Sequence, residues 1–456
     1  MRELGVYIET HQVGTLNEGN GIWRFDYKPA WAAGADSFDL SPALPRSELT
    51  HLDGSTLRPV QWYFDNLLPE EGLRVAAAKD ADIKDAQDAF ALLTYLGAES
   101  AGSLTLLPPG KPLPEDRELR ALPDEELSRR ISNLPRDTLT KTAPKRMSVA
   151  GAQHKLLAVL IGEALYEPVD ATPSTYILKP DHPHAETYPA SAFNEYITMR
   201  MAKAARMSVP KVDLRYVPQP VYLIERFDRV VGRRTPGTRS GPVKPPPIQR
   251  LHVIDACQLL NKDRLFKHPG ATLDSLAAII DLTTNKLATR LALFRWLVFN
   301  VVVANDDSHL KNLSFHVDHE GVRLAPHYDL LSTGTYHTKA IADESGKWAA
   351  VPMTFALPGA KNFGDVTYGS VVEAGKALGL PLPIIQRITG DVVSRVETEF
   401  ERIVQEHHAQ SKKPTAERGP YLAIEQRLLL VMQHITLKDM LQRLRPSGTH
   451  RTVEAA

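Results

Sequence analysis

Residues 305–312 read Asn305-Asp306-Asp307-Ser308-His309-Leu310-Lys311-Asn312. They follow an apolar segment, 287–303, that has the pattern of a long buried helix. After them, within 313–324, an apolar strand (SFHV) meets the turn DHEG and a second short strand (VRL). Beyond this hairpin stands Pro326-His327-Tyr328-Asp329. Asp307 and Asn312 are five residues apart. Phosphoryl transfer needs such a layout: one carboxylate to accept a hydroxyl proton, and an amide and a second carboxylate to hold magnesium against nucleotide phosphates. A hairpin between the two loops puts both at one end of one cleft. Two other readings of the octapeptide stay open. Asp, Asn and His also gather in loops because they bond locally to backbone. A metal site using His309 with Asp306 and Asp307 is the other, although this segment holds no second histidine at ligand spacing.

Upstream segments extend the phosphoryl-transfer reading. Ser148-Val149-Ala150-Gly151-Ala152-Gln153-His154-Lys155 is a small-residue loop leading into a strand. Small residues let backbone N–H groups approach phosphates. The P-loop spacing G-x-x-x-x-G-K-[ST] is absent. Lys179 ends the strand Tyr176-Ile177-Leu178, and Glu195, on the following helix, is placed to pair with it and hold it toward phosphates. Glu225 and Phe227 follow the last small-lobe strand, where a kinase-type hinge would hold adenine; Phe227 reads equally well as core.

Further out, residues 3–10 alternate as a strand does, and Trp23, Phe25 and Tyr27 continue the alternation. Residues 85–96 read as a helix and 102–107 as a short strand. Pro108, Pro109, Pro112, Pro114 and Pro123 mark 108–124 as a linker, because proline fixes φ and removes a donor. Strands at 155–161, 175–178, 212–217 and 221–224, with one helix at 192–205, give a small α/β lobe. From 251 onward the chain reads mostly helical, with candidates at 370–378, 383–404 and 421–444. The expected fold class is α+β, with a small α/β lobe, a mostly helical segment after it and a separate first domain before the linker. The boundaries are 1–107 for the N-terminal subdomain, 108–140 for a Pro-rich linker and helix, and 141–228 for the small lobe. A basic Pro-rich insertion follows at 229–250, the large lobe at 251–445 and a flexible tail at 446–456. The centre of the insertion, 232–247, reads as a solvated surface segment or as a basic contact for nucleic acid or a partner.

Composition bounds the function. Lys plus Arg and Asp plus Glu number 54 each, so an unaided polybasic nucleic-acid coat is excluded, though not a local patch. The single cysteine, Cys257, excludes an internal disulfide or a thiolate zinc cluster and fits a reducing compartment. The apolar run 291–304 is interrupted by Arg295 and too short to span a bilayer, and MRELGVYIET has no continuous apolar signal region. A soluble, cytoplasmic protein without membrane partners is expected.

In series, SVAGAQHK (148–155), YILK (176–179), LIERFDR (223–229), DACQ (255–258), NDDSHLKN (305–312) and HYDLLS (327–332) resemble the HipA family of serine/threonine kinase toxins. HQVGTL (11–16), DNLLPEEGLR (65–74) and DAFALLTYLGAESAGSLTLLP (88–108) resemble that family's N-terminal subdomain. Three features depart from the family pattern: His154, the second Glu of DNLLPEEGLR and the length of the 232–247 insertion. The resemblance implies a two-lobed, protein-kinase-like fold with an appended N-terminal α/β subdomain, ATP and Mg2+ as cofactors, Asp307 as catalytic base, and metal binding by Asn312 and Asp329. It implies nucleotide contacts from Val149, Ala150, Gly151, Ala152, Gln153, His154 and Lys155, from Lys179, and from Glu225, Arg226 and Phe227. His309, Lys311, Asn312, Tyr328 and Asp329 complete the implied set. It implies autophosphorylation at Ser148, a protein substrate in translation (an aminoacyl-tRNA synthetase), and a HipB-like helix-turn-helix antitoxin through which operator DNA is reached. A non-catalytic corepressor or scaffold is the competing reading, and the presence of Lys179, Asp307, Asn312 and Asp329 together favours the enzyme.

Overall fold

A computed structural model describes residues 1–144, 153–232 and 243–446. Ser148 and Val149 to Ala152, the centre of the basic insertion and the tail beyond 446 lie outside the described residues.

The N-terminal subdomain is built on a five-stranded antiparallel sheet. Its strands run in the spatial order Thr50–Leu52, Ile22–Tyr27, His11–Gly19, Arg2–Ile8, Leu104–Leu107. Period-two alternation puts Trp23, Phe25 and Tyr27 on the inner face, where all three are buried. The helix Ala89–Leu96 covers that face, and the Asp88 side chain caps it by accepting from Ala91 N–H.

A six-stranded antiparallel sheet forms the small lobe, in the order Val212–Tyr216, Pro220–Glu225, Tyr176–Pro180, Leu156–Ile161, Ala164–Asp170, Arg117–Ala121. One face carries Leu156, Ala158, Leu178, Val221 and Leu223, which form a compact core with Leu127 and Leu139. The last strand corrects the linker reading: Arg117–Ala121 is an edge strand paired with Ala164–Asp170, and the helix Asp124–Ser132 follows it. The outer insertion strands, Arg229–Val231 and Ile248–Arg250, pair as an antiparallel ribbon.

The large lobe is mostly helical, centred on Lys286–Val302 and the long helix Leu382–Ser411. The last predicted helix is interrupted: Leu422–Val431 passes through a π-helical segment, Met432–Thr436, before Leu437–Arg443. Two strands lay outside the sequence expectation, Pro352–Leu357 and Ala360–Asn362. The hairpin Ser314–Asp318/Gly321–Leu324 is also not alone, since Val253–Asp255 pairs with its first strand. Among the described residues, no helix is long and apolar enough to cross a membrane.

The N-terminal subdomain is fastened to the hinge between the lobes by buried charge. Glu99 is fully buried and accepts from Arg229 at 2.8 Å and from Ser174 Oγ at 3.0 Å, with Arg226 at 3.4 Å. Asp228 accepts from Arg226 at 2.9 and 2.7 Å and from the backbone N–H of Gly102 at 2.8 Å. Gly102 has φ +73, and a Cβ there would sit 2.9 Å from Val253 N, so only glycine lets the two backbones approach. Burial opposes ionisation of Asp228, but Arg226 and Arg229 override it and hold its carboxyl far below the usual range. Glu99→Gln leaves Asp228 facing Arg226, Arg229 and the nearby Arg250 without a second carboxylate. The expected cost is about 3–5 kcal/mol of stability, the scale for breaking a buried pair. Urea unfolding reads it, and a change below about 1 kcal/mol, the scale of an exposed pair, would show that the network contributes little.

Candidate active site

The site is assembled at the mouth of a cleft of about 650 Å³ between the lobes. Its upper wall begins with Lys179, the penultimate residue of the strand Tyr176–Pro180. The next helix, Ser191–Ala204, is started by Asp181, whose carboxylate accepts from Ala192 N–H at 2.8 Å. That start places Glu195 one turn in, buried, and under the strand end. Lys179 Nζ donates to Glu195 at 2.8 and 3.1 Å and to Asp329 at 2.5 Å. Burial opposes the charge on Lys179, yet the two carboxylates more than offset it, and the lysine pKa is raised. Burial and the adjacent Lys179 lower Lys155 to about 8.

The lower wall is the octapeptide. The helix Lys286–Val302 ends at Ala304, which takes φ +55, and the chain then winds on itself. Asn305 Nδ2 bonds Asn300 Oδ1 at 2.8 Å, and Asp307 N–H bonds Asn305 Oδ1 at 3.1 Å. Asn312 Nδ2 donates to the carbonyl of Asp307 at 2.8 Å. The amide is thereby oriented, and its Oδ1 is the atom left for a cation. Asp329 lies beyond the hairpin at φ +58, a left-handed conformation uncommon outside glycine. Burial would raise its carboxyl, but Lys179 overrides burial and holds the pKa at about 2. An amide oxygen beside an ionised carboxylate is a hard oxygen donor set of the kind magnesium takes.

Asp307 itself lines the cleft, its side chain largely exposed to water but set between the two walls. That enclosure, followed by the Asp329 carboxylate, raises its pKa to about 7, with Lys267 opposing. A carboxyl with a pKa near working pH is suited to proton transfer. Only the deprotonated form accepts a proton, so the transfer rate should rise with pH up to a break at or below about 7 and level above it. A bound cation would move the break down, since it favours the carboxylate. A rate that climbed as pH fell through this range would remove Asp307 as the base.

The structure brings Gln153, Lys155, Lys179, Glu225, Arg226, Phe227, Asp307, His309, Lys311, Asn312, Tyr328 and Asp329 around this one cleft. The Phe227 ring lies 5.4 Å from that of Tyr328, and the Tyr328 hydroxyl bonds Lys311 O and Ser314 Oγ, each at 2.7 Å. Three of the expected side chains are differently engaged. His154 does not line the cleft; it faces a separate small cavity beside Pro69, Leu73 and Tyr95. The Arg226 guanidinium is committed to Asp228 and Ser174, so the side chain holds the hinge in place instead of facing a nucleotide. The ammonium of Lys311 donates to Asp255 at 2.6 Å and to Asn66 Oδ1 and O at 2.8 and 2.9 Å. Its three N–H groups are satisfied, so it ties the loop to the N-terminal subdomain.

Sequence reasoning missed that the N-terminal subdomain reaches the site. Glu70 and Glu71 bind Lys267 at 2.7 and 3.1 Å, and Asn66, Leu67, Glu70 and Glu71 all line the cleft. The departure in DNLLPEEGLR was the available signal. Lys267, His268 and His337 were missed as well; His337 sits 3.1 Å from Asp306.

A small β lobe, a helical large lobe, a Lys–Glu pair above the cleft and an Asp–Asn–Asp set below it define a two-lobed kinase. The sequence profile of the HipA N-terminal domain matches residues 4–107, and that of the HipA-like C-terminal domain matches 147–400. The chain belongs to the HipA family, and it is a kinase. It is 33% identical to the putative kinase Y4mE of Sinorhizobium fredii, across 87% of this chain and 91% of that one. It is 31% identical to the serine/threonine-protein kinase toxin HipA of Shewanella oneidensis, across 66% of this chain and 68% of that one. The fold matches that of Shewanella oneidensis HipA solved with HipB and operator DNA, with TM-score 0.73 and 23% identity. That match covers 97% of this chain and 100% of the other.

Proposed function

We propose that the chain is the serine/threonine-kinase toxin of a toxin–antitoxin pair and transfers the γ-phosphoryl group of ATP to a protein hydroxyl. The observation that carries this reading is the meeting of Lys179, Glu195 and Asp329 in one buried ion cluster above Asp307. Asp307 takes the proton of the attacking hydroxyl. Lys179, held by Glu195, orients the phosphates, and Asn312 and Asp329 hold Mg2+. Magnesium, when bound, neutralises charge on the transferring phosphoryl group. Phe227 and the backbone of Glu225 to Phe227 take the base of the nucleotide, while Gln153, Lys155 and the small-residue loop Val149 to Ala152 take phosphates.

Family resemblance supplies the finer parts of the proposal. The substrate is a translation component, an aminoacyl-tRNA synthetase. A HipB-like antitoxin binds the chain and brings it to operator DNA, since a chain with zero formal charge has little counterion-release affinity of its own. Ser148 is autophosphorylated and the modification stops activity. Lys141, Lys145 and Arg146 precede Ser148 in the sequence and put positive charge near a phosphate carrying about −1.5 to −2 charges.

The experiment is incubation of the purified chain with Mg–ATP and a cell extract, followed by phosphosite mass spectrometry. Phosphate is expected on Ser148 and on a synthetase, and the Ser148-modified chain is expected to bind ATP at least tenfold more weakly. Unchanged ATP affinity after stoichiometric modification would remove the switch. A labelled substrate outside translation would remove the synthetase assignment.

A further inference from the structure

The octapeptide contains one histidine, and the second one a metal site needs comes from elsewhere in the chain. His268 follows Lys267, whose carbonyl accepts from Leu310 N–H at 3.1 Å. Lys267 is also held by Glu70 and Glu71, which offset its charge at this spot. The loop is therefore pinned against the catalytic loop. His268 meets His309 edge to face, with ring centroids 4.8 Å apart, and its Nε2 lies 3.8 Å from Asp307 Oδ1. One ligating atom from each of His268, Asp307 and His309 lies within 4.8 Å of the others.

His309 adds an independent observation. It is only 8% exposed, lines the cleft, and its Nδ1 is buried without a hydrogen-bond partner among the described residues. A buried imidazole nitrogen left unpaired is unfavourable, and a cation that reached Nδ1 would satisfy it.

We propose that His268, Asp307 and His309 form a second cation site, for a borderline-soft divalent ion such as Zn2+, whose occupation stops phosphoryl transfer by capturing the Asp307 carboxylate. The two sites of the cleft sort cations by donor chemistry. Asn312 and Asp329 offer oxygens only, which suits magnesium, whereas two imidazoles and one carboxylate suit zinc, cobalt or nickel. Three protein ligands leave a fourth position for water, as in open zinc sites. With Zn–N distances of about 2.0–2.1 Å, tetrahedral ligand atoms sit about 3.3 Å apart, so they must draw together by up to about 1.5 Å. His268 and Asp307 are the two exposed members, and their rotation is the movement the site requires.

The binding claim stands on geometry, while the inhibitory claim rests on the kinase reading, and the test separates them. The full chain is first titrated with Co2+ in excess Mg2+ without nucleotide, following the visible d–d bands of low-symmetry cobalt. Bands are expected in the wild type, and His268→Ala should weaken Co2+ binding by at least tenfold. His268→Gln checks that the exposed side chain is not needed for folding. Transfer activity is then measured in excess Mg–ATP with added Zn2+, each variant against its own chelated rate. Zinc should inhibit the wild type reversibly and His268→Ala at least tenfold less sensitively. Absence of cobalt bands, or affinity in His268→Ala within tenfold of the wild type, overturns the site. Binding without inhibition overturns the inhibitory role alone. A chain that transfers no phosphate in any condition fails the kinase reading and leaves the cobalt result to decide the site.

Discussion

Asp307→Asn lowers the rate of phosphoryl transfer by at least about 10²–10⁴-fold, the usual share of a positioned general base. The loss is expected in the transfer rate, with nucleotide affinity changed little, because Asp307 faces the hydroxyl and the nucleotide is held by other groups. The fold should be retained. Asp307 carries a charge that its enclosure and Asp329 disfavour, so an uncharged isostere relieves repulsion. Its carbonyl, which orients Asn312, is backbone and survives the substitution. Single-turnover transfer and a melting curve together check this. A folded Asp307→Asn variant with near wild-type transfer would take Asp307 out of the chemistry.

Asp329→Ala has the second large effect, with two parts. Lys179 loses its 2.5 Å partner and keeps only Glu195, and the cation site loses its one carboxylate. ATP affinity should fall by more than tenfold with magnesium and by much less without it, since the carboxylate acts on phosphates through the ion. Removing a carboxylate from direct reach of the phosphates would otherwise favour ATP, so the sign in the absence of magnesium is informative. Titrations with and without the ion decide it; equal losses in both would make Asp329 a structural partner of Lys179.

Local chemistry at this site was legible because each signal was short and self-contained. The octapeptide, the lysine at a strand end and the Asp after the hairpin are defined by neighbours a few residues away. The helix at 192–205 and the strand at 221–224 were readable from length and apolar content, and both are buried nearly all round. The edge strand Arg117–Ala121 was not, because it is largely exposed, carries Arg and Glu, and stands among prolines. The ties between subdomains were invisible for a different reason. Lys311 reads as a phosphate-directed cation until Asn66, hundreds of positions earlier, arrives to take two of its N–H groups. The Arg226 guanidinium stands as a nucleotide contact until Asp228 and Glu99 are seen around it. Long-range charge pairing leaves no periodic trace in a sequence, and His268 joined Asp307 and His309 only in three dimensions.

The N-terminal subdomain thus does more than accompany the kinase. Glu70 and Asn66 brace the catalytic loop, and Glu99 and Gly102 brace the hinge. Both walls of the cleft depend on it.

The most direct test of the account is a single-turnover assay with γ-labelled ATP and magnesium. It compares wild type with Asp307→Asn and counts phosphate covalently attached to protein. The account predicts incorporation by the wild type that requires magnesium and is lost in the variant. Equal incorporation by both, or none by a wild type that binds Mg–ATP, would contradict it.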